Sequence, residues 1–200
     1  MLALIDPQPV GLPGLCAMLA GFLMFVPLLA LARRRGAKSS RPESQTKARA
    51  SWIGVAIQML GFAVVGFGPL RVLTTNSPAT VAAAAGVCAL MLFTILMFLT
   101  ASRAMGKNWA VVARTRADHD LVTSGPFAWV RNPIYTGLFG MMLAMALAFG
   151  HWRGLVLGVP LYWIGTGIRV REEEKLLRAQ FGQAYDDYAA RVKRFVPGVI

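Results

Sequence analysis

Two short polar clusters stand against apolar runs in this chain. Arg131-Asn132-Pro133, with Tyr135, lies in GPFAWVRNPIYTG at the mouth of one of the most apolar segments. Arg169, Arg171, Glu172, Glu173 and Glu174 close the segment after it. Ionisable groups at the edge of a greasy segment are expensive to desolvate, which makes them candidates for ligand binding. A guanidinium and the free N–H groups of a helix start attract an anion. Carboxylates attract an ammonium and accept from hydroxyls. Together the clusters match a ligand that carries a carboxylate, an ammonium and a ribose, and Gly137 and Gly140 leave room for close approach. Each cluster also has a plain structural reading. Asn132 and Pro133 suit a helix N-cap and first position, with Arg131 snorkelling to phosphates. Arg169 and Glu173 are spaced to pair on a solvated helix. Tyr185 and Tyr188 read most simply as packing residues.

The elements that must position these residues are apolar. Hydrophobic residues make up 56% of the chain and charged ones 15%, well below the roughly one quarter charged of soluble domains. The formal net charge of +12 does not point to nucleic acid, because the basic residues flank apolar runs without interleaved aromatics. A span needs about 20 mostly apolar residues. Segments of that kind cover roughly 12–32, 51–70, 79–101, 133–150 and 154–170. The last holds Gly158, Pro160, Gly165 and Gly167 and is expected to bend. With five spans, 19 of the 21 Lys and Arg fall on one side. They occupy loop 33–49, segment 102–131 and the tail from 169, leaving Arg71 and Arg153 opposite. That imbalance orients the N-terminus outside and the tail in the cytoplasm. In the tail, Leu176, Leu177, Phe181, Tyr185 and Tyr188 recur at helical spacing, which predicts an amphipathic helix against the membrane or the bundle.

The expected fold is therefore all-α: an integral membrane bundle of about five transmembrane helices with a cytoplasmic C-terminal amphipathic helix. It forms one domain, with three spans in 1–116 and a hairpin plus C-terminal helix in 117–200. The four-residue link HWRG folds the last two spans into a hairpin, so the two polar clusters become neighbours. Cys16 and Cys88 fall inside apolar runs and are expected to be buried thiols. His119 and His151 have no ligand partners at useful spacing, so no metal site is expected. The N-terminal stretch lacks the basic residues of a cleaved signal, and the first apolar run reads as a retained span. Gly154-x-x-x-Gly158 suits helix packing within or between chains.

GPFAWVRNPIYTG followed by REEEKLLRAQFGQAYDDYAARVKRFVP resembles the isoprenylcysteine carboxyl methyltransferase family and its phospholipid methyltransferase relatives. The family pattern is a Gly-Pro-aromatic and Arg-His-Pro-x-Tyr-x-Gly element, then Glu-Glu, Phe-Gly, two tyrosines and a terminal Arg-x-x-Pro. The resemblance covers residues 117–197 and implies a membrane-embedded enzyme that uses S-adenosylmethionine. By position it assigns Arg131, Asn132, Pro133, Tyr135, Gly137, Glu173 and Glu174 to the cofactor pocket. Arg131, Arg171 and Glu173 become the catalytic candidates. Glu172 is an extra acid beside the Glu-Glu pair. Asn132 departs from the histidine of the isoprenylcysteine branch, while the phospholipid branch accepts Asn-Pro. Tyr135 or Trp129 is expected to line the pocket.

The implied reaction is an in-line methyl transfer in which positioning does most of the work. Its partners would be a lipophilic small-molecule or lipid acceptor and membrane lipids, with neither nucleic acid nor metal. Whether the accepting atom is oxygen, nitrogen or sulfur stays open. Two other classes fit part of the pattern: a membrane reductase using a nicotinamide cofactor, and a non-enzymatic transport or scaffold protein.

Overall fold

Long apolar runs must satisfy their own backbone groups, and helices do so. The computed structural model describes residues 7–38, 49–74, 77–106 and 120–198. Its helices are α1 (Leu12–Lys38), α2 (Arg49–Gly66), α3 (Pro78–Met105), α4 (Pro133–Phe149), α5 (Leu155–Phe181) and α6 (Gln183–Arg191). Two short strands, β1 (Val10–Gly11) and β2 (Val72–Leu73), pair in parallel. The helix α1 over Leu12–Arg35 and the whole of α3 are long and apolar enough to cross a membrane. Ser51–Gly66 and α4 are shorter apolar helices.

Several boundaries differ from the sequence reading. Helix α1 does not stop at Arg33 but continues to Lys38, since arginine and lysine are good helix formers. The apolar part of α5 runs on through the Glu-rich cluster to Phe181 as one helix. The expected single amphipathic tail helix is therefore divided. Its first half belongs to α5, the chain turns at Gly182 with φ +52°, and only α6 is separate. That backbone conformation is one that side chains rarely adopt. His119, Lys107, Trp109, Arg114, Arg116 and residues 39–48 lie outside the described residues.

The five long helices alternate in direction. One end gathers the starts of α1, α3 and α5 with the ends of α2 and α4. There Gln8 N–H donates to Gly150 O at 2.9 Å, and Ser77 and Thr80 form a capping box on α3. Buried His151 sits 2.9 Å from Val65 O and 3.0 Å from Pro69 O, a structural tie of the α4–α5 link to α2. The opposite end carries the polar clusters.

Helices α4 and α5 do not pack along their length as a close hairpin. Helix α4 packs chiefly on α3, and α5 chiefly on α2. Glycines explain both choices. A Cβ on Gly165 would lie 2.6 Å from Gln58 N and from Gly54 O; one on Gly61 would lie 2.9 Å from Gly158 O. Backbones this close are the small-residue packing of membrane helices. Gly154 and Gly158 both face α2, so this motif packs helices within the chain. On the other side, Gly137 O accepts from Thr94 Oγ1 at 2.8 Å, and a Cβ on Gly137 would meet Met97 Cβ at 2.9 Å. The space left by Gly137 is thus filled by α3 rather than held for a ligand.

The core between these pairs is Met18, Phe25, Phe98, Met141, Met142 and Tyr162. The outside is apolar as well. Leu19, Leu23, Phe67 and Val156 are all more than half exposed, Phe67 at 84%. An apolar exterior of this extent marks a surface for lipid or a partner. Cys16 and Cys88 are free thiols on that exterior, not buried ones. In such a bundle the outward face is as apolar as the inward face, so apolar neighbours in sequence do not mark burial.

Gly165→Ala is expected to destabilise the α2–α5 contact by about 1–3 kcal/mol, read as a lower thermal midpoint in detergent. Gly167→Ala, where an added Cβ meets nothing within 4 Å, is expected to leave the midpoint unchanged or raise it slightly.

Candidate functional site

Arg131 enters the site from the loop before α4. A 3-10 turn over Gly125–Ala128 brings the chain in, and Pro133 starts α4 with Asn132 at the cap position. Asn132 does not cap the helix with its side chain. Instead its Nδ2 donates to Arg194 O at 3.2 Å, and its backbone N–H donates to the same carbonyl at 3.0 Å. Arg131 N–H donates to Lys193 O at 2.8 Å, and Thr136 Oγ1 to Phe195 O at 3.1 Å. The tail after α6 is thereby laid along the start of α4.

Glu174 locks this arrangement. Buried at 4% exposure, it accepts from Arg131 Nη2 at 3.1 Å and from Arg194 at 2.9 and 2.7 Å. Arg178 stands 3.9 Å away. Burial works to raise the Glu174 carboxyl, but Arg194, then Arg131 and Arg178, hold it below its ordinary value. Arg131 also donates from Nη1 to Ala189 O at 2.6 Å. Its Nε is buried without a partner among the described residues, while the residue as a whole borders the cavity described below.

Glu173, one residue earlier, has a different role. A helix turns about 100° per residue, so Glu173 points to another neighbour. Tyr135 Oη donates to Glu173 Oε1 at 2.5 Å. Tyr162 Oη donates to Tyr135 O at 2.5 Å and fixes the backbone below it. The Arg169 guanidinium lies 4.9 Å from the centroid of the Tyr135 ring, a cation–π distance. From α6, Tyr188 donates to Phe127 O at 2.7 Å, and burial pushes its phenol up to about 12.

These groups line the polar mouth of a cavity of about 580 Å³. Arg131, Asn132, Pro133, Tyr135, Glu173 and Glu174 all border it, as do Asp120, Tyr185 and Tyr188. Deeper in, its walls are apolar, including Phe22 and Phe25 of α1, Met59 and Phe62 of α2, and Met141 and Met145 of α4. Tyr185 and Tyr188 are buried packing residues that are also cavity walls. No group of three or more His, Cys, Asp or Glu among the described residues is placed to hold a metal ion.

Two expected site residues, and one of the two alternative wall residues, lie elsewhere. Arg171 is exposed on the outer face of α5; two residues along a helix turn about 200° away from Arg169, and Arg169 takes the inner position. Gly137 serves the α3 contact. Trp129 is 71% exposed and does not border the cavity. Two participants were not singled out from the sequence. Arg194 had a signal in the terminal Arg-x-x-Pro. Gln58 had only its polarity in the middle of an apolar span.

A model of the family "Phospholipid methyltransferase" matches residues 79–184. The chain is 32% identical over 87 residues to the protein-S-isoprenylcysteine O-methyltransferase of Schizosaccharomyces pombe, covering 44% of this chain and 37% of that protein. It is 32% identical over 118 residues to the enzyme of the same name from Tribolium castaneum, covering 56% and 40%. The chain thus spans about two fifths of the curated relatives it matches. Among solved structures, the eukaryotic intramembrane Ras methyltransferase, an isoprenylcysteine carboxyl methyltransferase, superposes with a TM-score of 0.53 at 20% identity. That match covers 90% of this chain and 63% of the other and shows a shared fold.

Glu174→Gln removes the charge that holds two arginines and is expected to cost about 3 kcal/mol. Limited proteolysis should then cut the tail after α6 at neutral pH, where the unaltered protein resists. Because the folded-state pKa of Glu174 is lowered, its stabilisation is complete above the unfolded value of about 4.3 and is lost as pH falls further. A pH titration of the thermal midpoint should show this acid-side loss in the unaltered chain and its reduction in the variant.

Proposed function

The chain belongs to the phospholipid methyltransferase family, and from that premise we propose that it is an S-adenosylmethionine-dependent membrane methyltransferase acting on a lipophilic acceptor. The acceptor class is an isoprenylcysteine-type carboxylate or a related lipid or small hydrophobic acid. The observation that carries this reading is the two-part cavity, polar at Arg131, Tyr135 and Glu173 and apolar at Phe22, Phe25, Met141 and Met145.

The residues present suit the cofactor. The Arg131 guanidinium, which borders the cavity, supplies positive charge for its carboxylate, and Glu173 is an acceptor for its ammonium or ribose hydroxyls. Tyr185 and Tyr188 offer aromatic walls near the mouth. When bound, the cofactor supplies an electrophilic methyl on a positively charged sulfur. The chain's own part is positional. Tyr135 sets the direction of Glu173, and Glu174 holds Arg131 in place through the ion-pair cluster. The apolar interior excludes water from an acceptor carboxylate, which leaves its oxygen less hydrated. An acceptor that is already anionic needs no proton removed, so the site requires no general base. Alignment of the reacting atoms at about 3–3.5 Å then supplies most of the rate.

The five alternating helices are read as five spans, with the site at the basic, cytoplasmic end and the N-terminus opposite. The apolar end of the cavity borders α1 and α2, so a lipophilic acceptor would reach it from the bilayer, while the cofactor comes from water.

Calorimetric titration of the detergent-purified protein with S-adenosylhomocysteine, and with NADPH as the contrasting nucleotide, tests the reading. Micromolar binding of S-adenosylhomocysteine alone is expected; binding of NADPH alone, or of neither, contradicts it. Glu173→Gln should weaken S-adenosylhomocysteine by about tenfold to a hundredfold, the worth of a hydrogen bond to a charged group.

A further inference from the structure

Helix α2 lies wholly before residues 79–184, the part that the family model matches, yet it reaches into the site. Gln58, at its middle, is fully buried and borders the cavity. Its Nε2 donates to Thr166 Oγ1 at 2.9 Å, and its Oε1 accepts from Arg169 Nη1 at 2.7 Å. Arginine has only donors, so the amide oxygen must face it and the orientation of Gln58 is determined. The helices touch backbone to backbone at this level. A Cβ on Gly54 would lie 2.6 Å from Arg169 Cγ and 2.7 Å from Gly165 O. The amide therefore meets Arg169 at a separation the fold itself sets. Arg169 in turn covers the Tyr135 ring at 4.9 Å, and Tyr135 holds Glu173 at 2.5 Å.

We propose that Gln58 is a positioning residue for the cofactor site: it holds the Arg169 guanidinium over Tyr135 and so fixes the Tyr135–Glu173 pair. The inference rests on the cofactor reading above. It gives the N-terminal half of the chain a part in cofactor binding as well as in enclosing the acceptor. A buried amide that only ties two helices together would affect melting and nothing else. A positioning amide affects affinity, and its effect vanishes once Arg169 is gone.

The test is calorimetry with S-adenosylhomocysteine on the full chain, together with thermal midpoints, for Gln58→Met, Gln58→Glu, Arg169→Met and the Gln58→Met/Arg169→Met double variant. Gln58→Met is expected to weaken binding about tenfold. Gln58→Glu, whose carboxylate still accepts from Arg169, is expected to stay within about threefold of the unaltered protein. The double variant should bind no more weakly than Arg169→Met alone, the mark of two groups acting as one unit. Unchanged affinity in Gln58→Met overturns the inference, as does a double variant that loses the sum of the two single effects. Should Gln58→Met not fold, Gln58→Asn against Gln58→Glu decides. The shortened amide must lose affinity where the carboxylate keeps it, and equal affinities overturn the inference. An unaltered protein that binds no S-adenosylhomocysteine removes the cofactor reading itself; one that binds, with an unaffected Gln58→Met, removes only the role of Gln58.

Discussion

Glu174 sits where four separate pieces of the chain meet. It belongs to α5, accepts from Arg131 before α4, and accepts twice from Arg194 beyond α6. Arg131 carries the connection on to Ala189 in α6. A carboxylate this buried is stable only because it is surrounded by donors. In return the carboxylate neutralises Arg131, whose side chain is only 11% exposed. The result is a rigid rim around the mouth of the cavity, made by residues up to 63 positions apart in sequence. The tail closes the rim with backbone bonds to residues 131 and 132.

Away from that rim the bundle obeys a different constraint. Between apolar helices there is little hydrophobic gain over lipid, so close packing and a few polar ties decide which helices meet. Glycines on α2 and α5 bring those two backbones together, and Gly137 and Gly140 do the same for α4 against α3. Between the two pairs lie both the packed core and the cavity beside it. Polar groups enter this interior as a connected series: Thr166, Gln58, Arg169, Tyr135 and Glu173. Buried polar networks are favourable when their members are satisfied, and this one ends at the cavity mouth.

The long apolar helices were legible because a run of about 20 apolar residues has few other stable forms. The Arg-Asn-Pro and Glu-rich clusters were legible because charge at the edge of such runs stands out. What each member does was not. Glu173 and Glu174 differ by one helical step, which separates a residue facing Tyr135 from one pinned by arginines. Arg169 and Arg171 differ by two steps, which separates the cavity wall from the outer surface. These differences depend on the rotational setting of α5, and that setting comes from glycine contacts with α2 that no local pattern displays. The division of the tail into α5 and α6 hung on the conformation of Gly182. Burial of the cysteines was misjudged because an apolar neighbourhood in sequence does not distinguish a protein interior from a lipid-facing side.

The central claim is that the Arg131, Tyr135 and Glu173 mouth holds the methyl donor. A crystal structure of the protein grown with S-adenosylhomocysteine tests it most directly. The account predicts the ligand in the cavity, with its carboxylate toward Arg131 and its ammonium or ribose at Glu173. The Glu174 cluster should be unchanged beside it. Ligand bound elsewhere, or a cavity filled by lipid at saturating S-adenosylhomocysteine, would contradict the account.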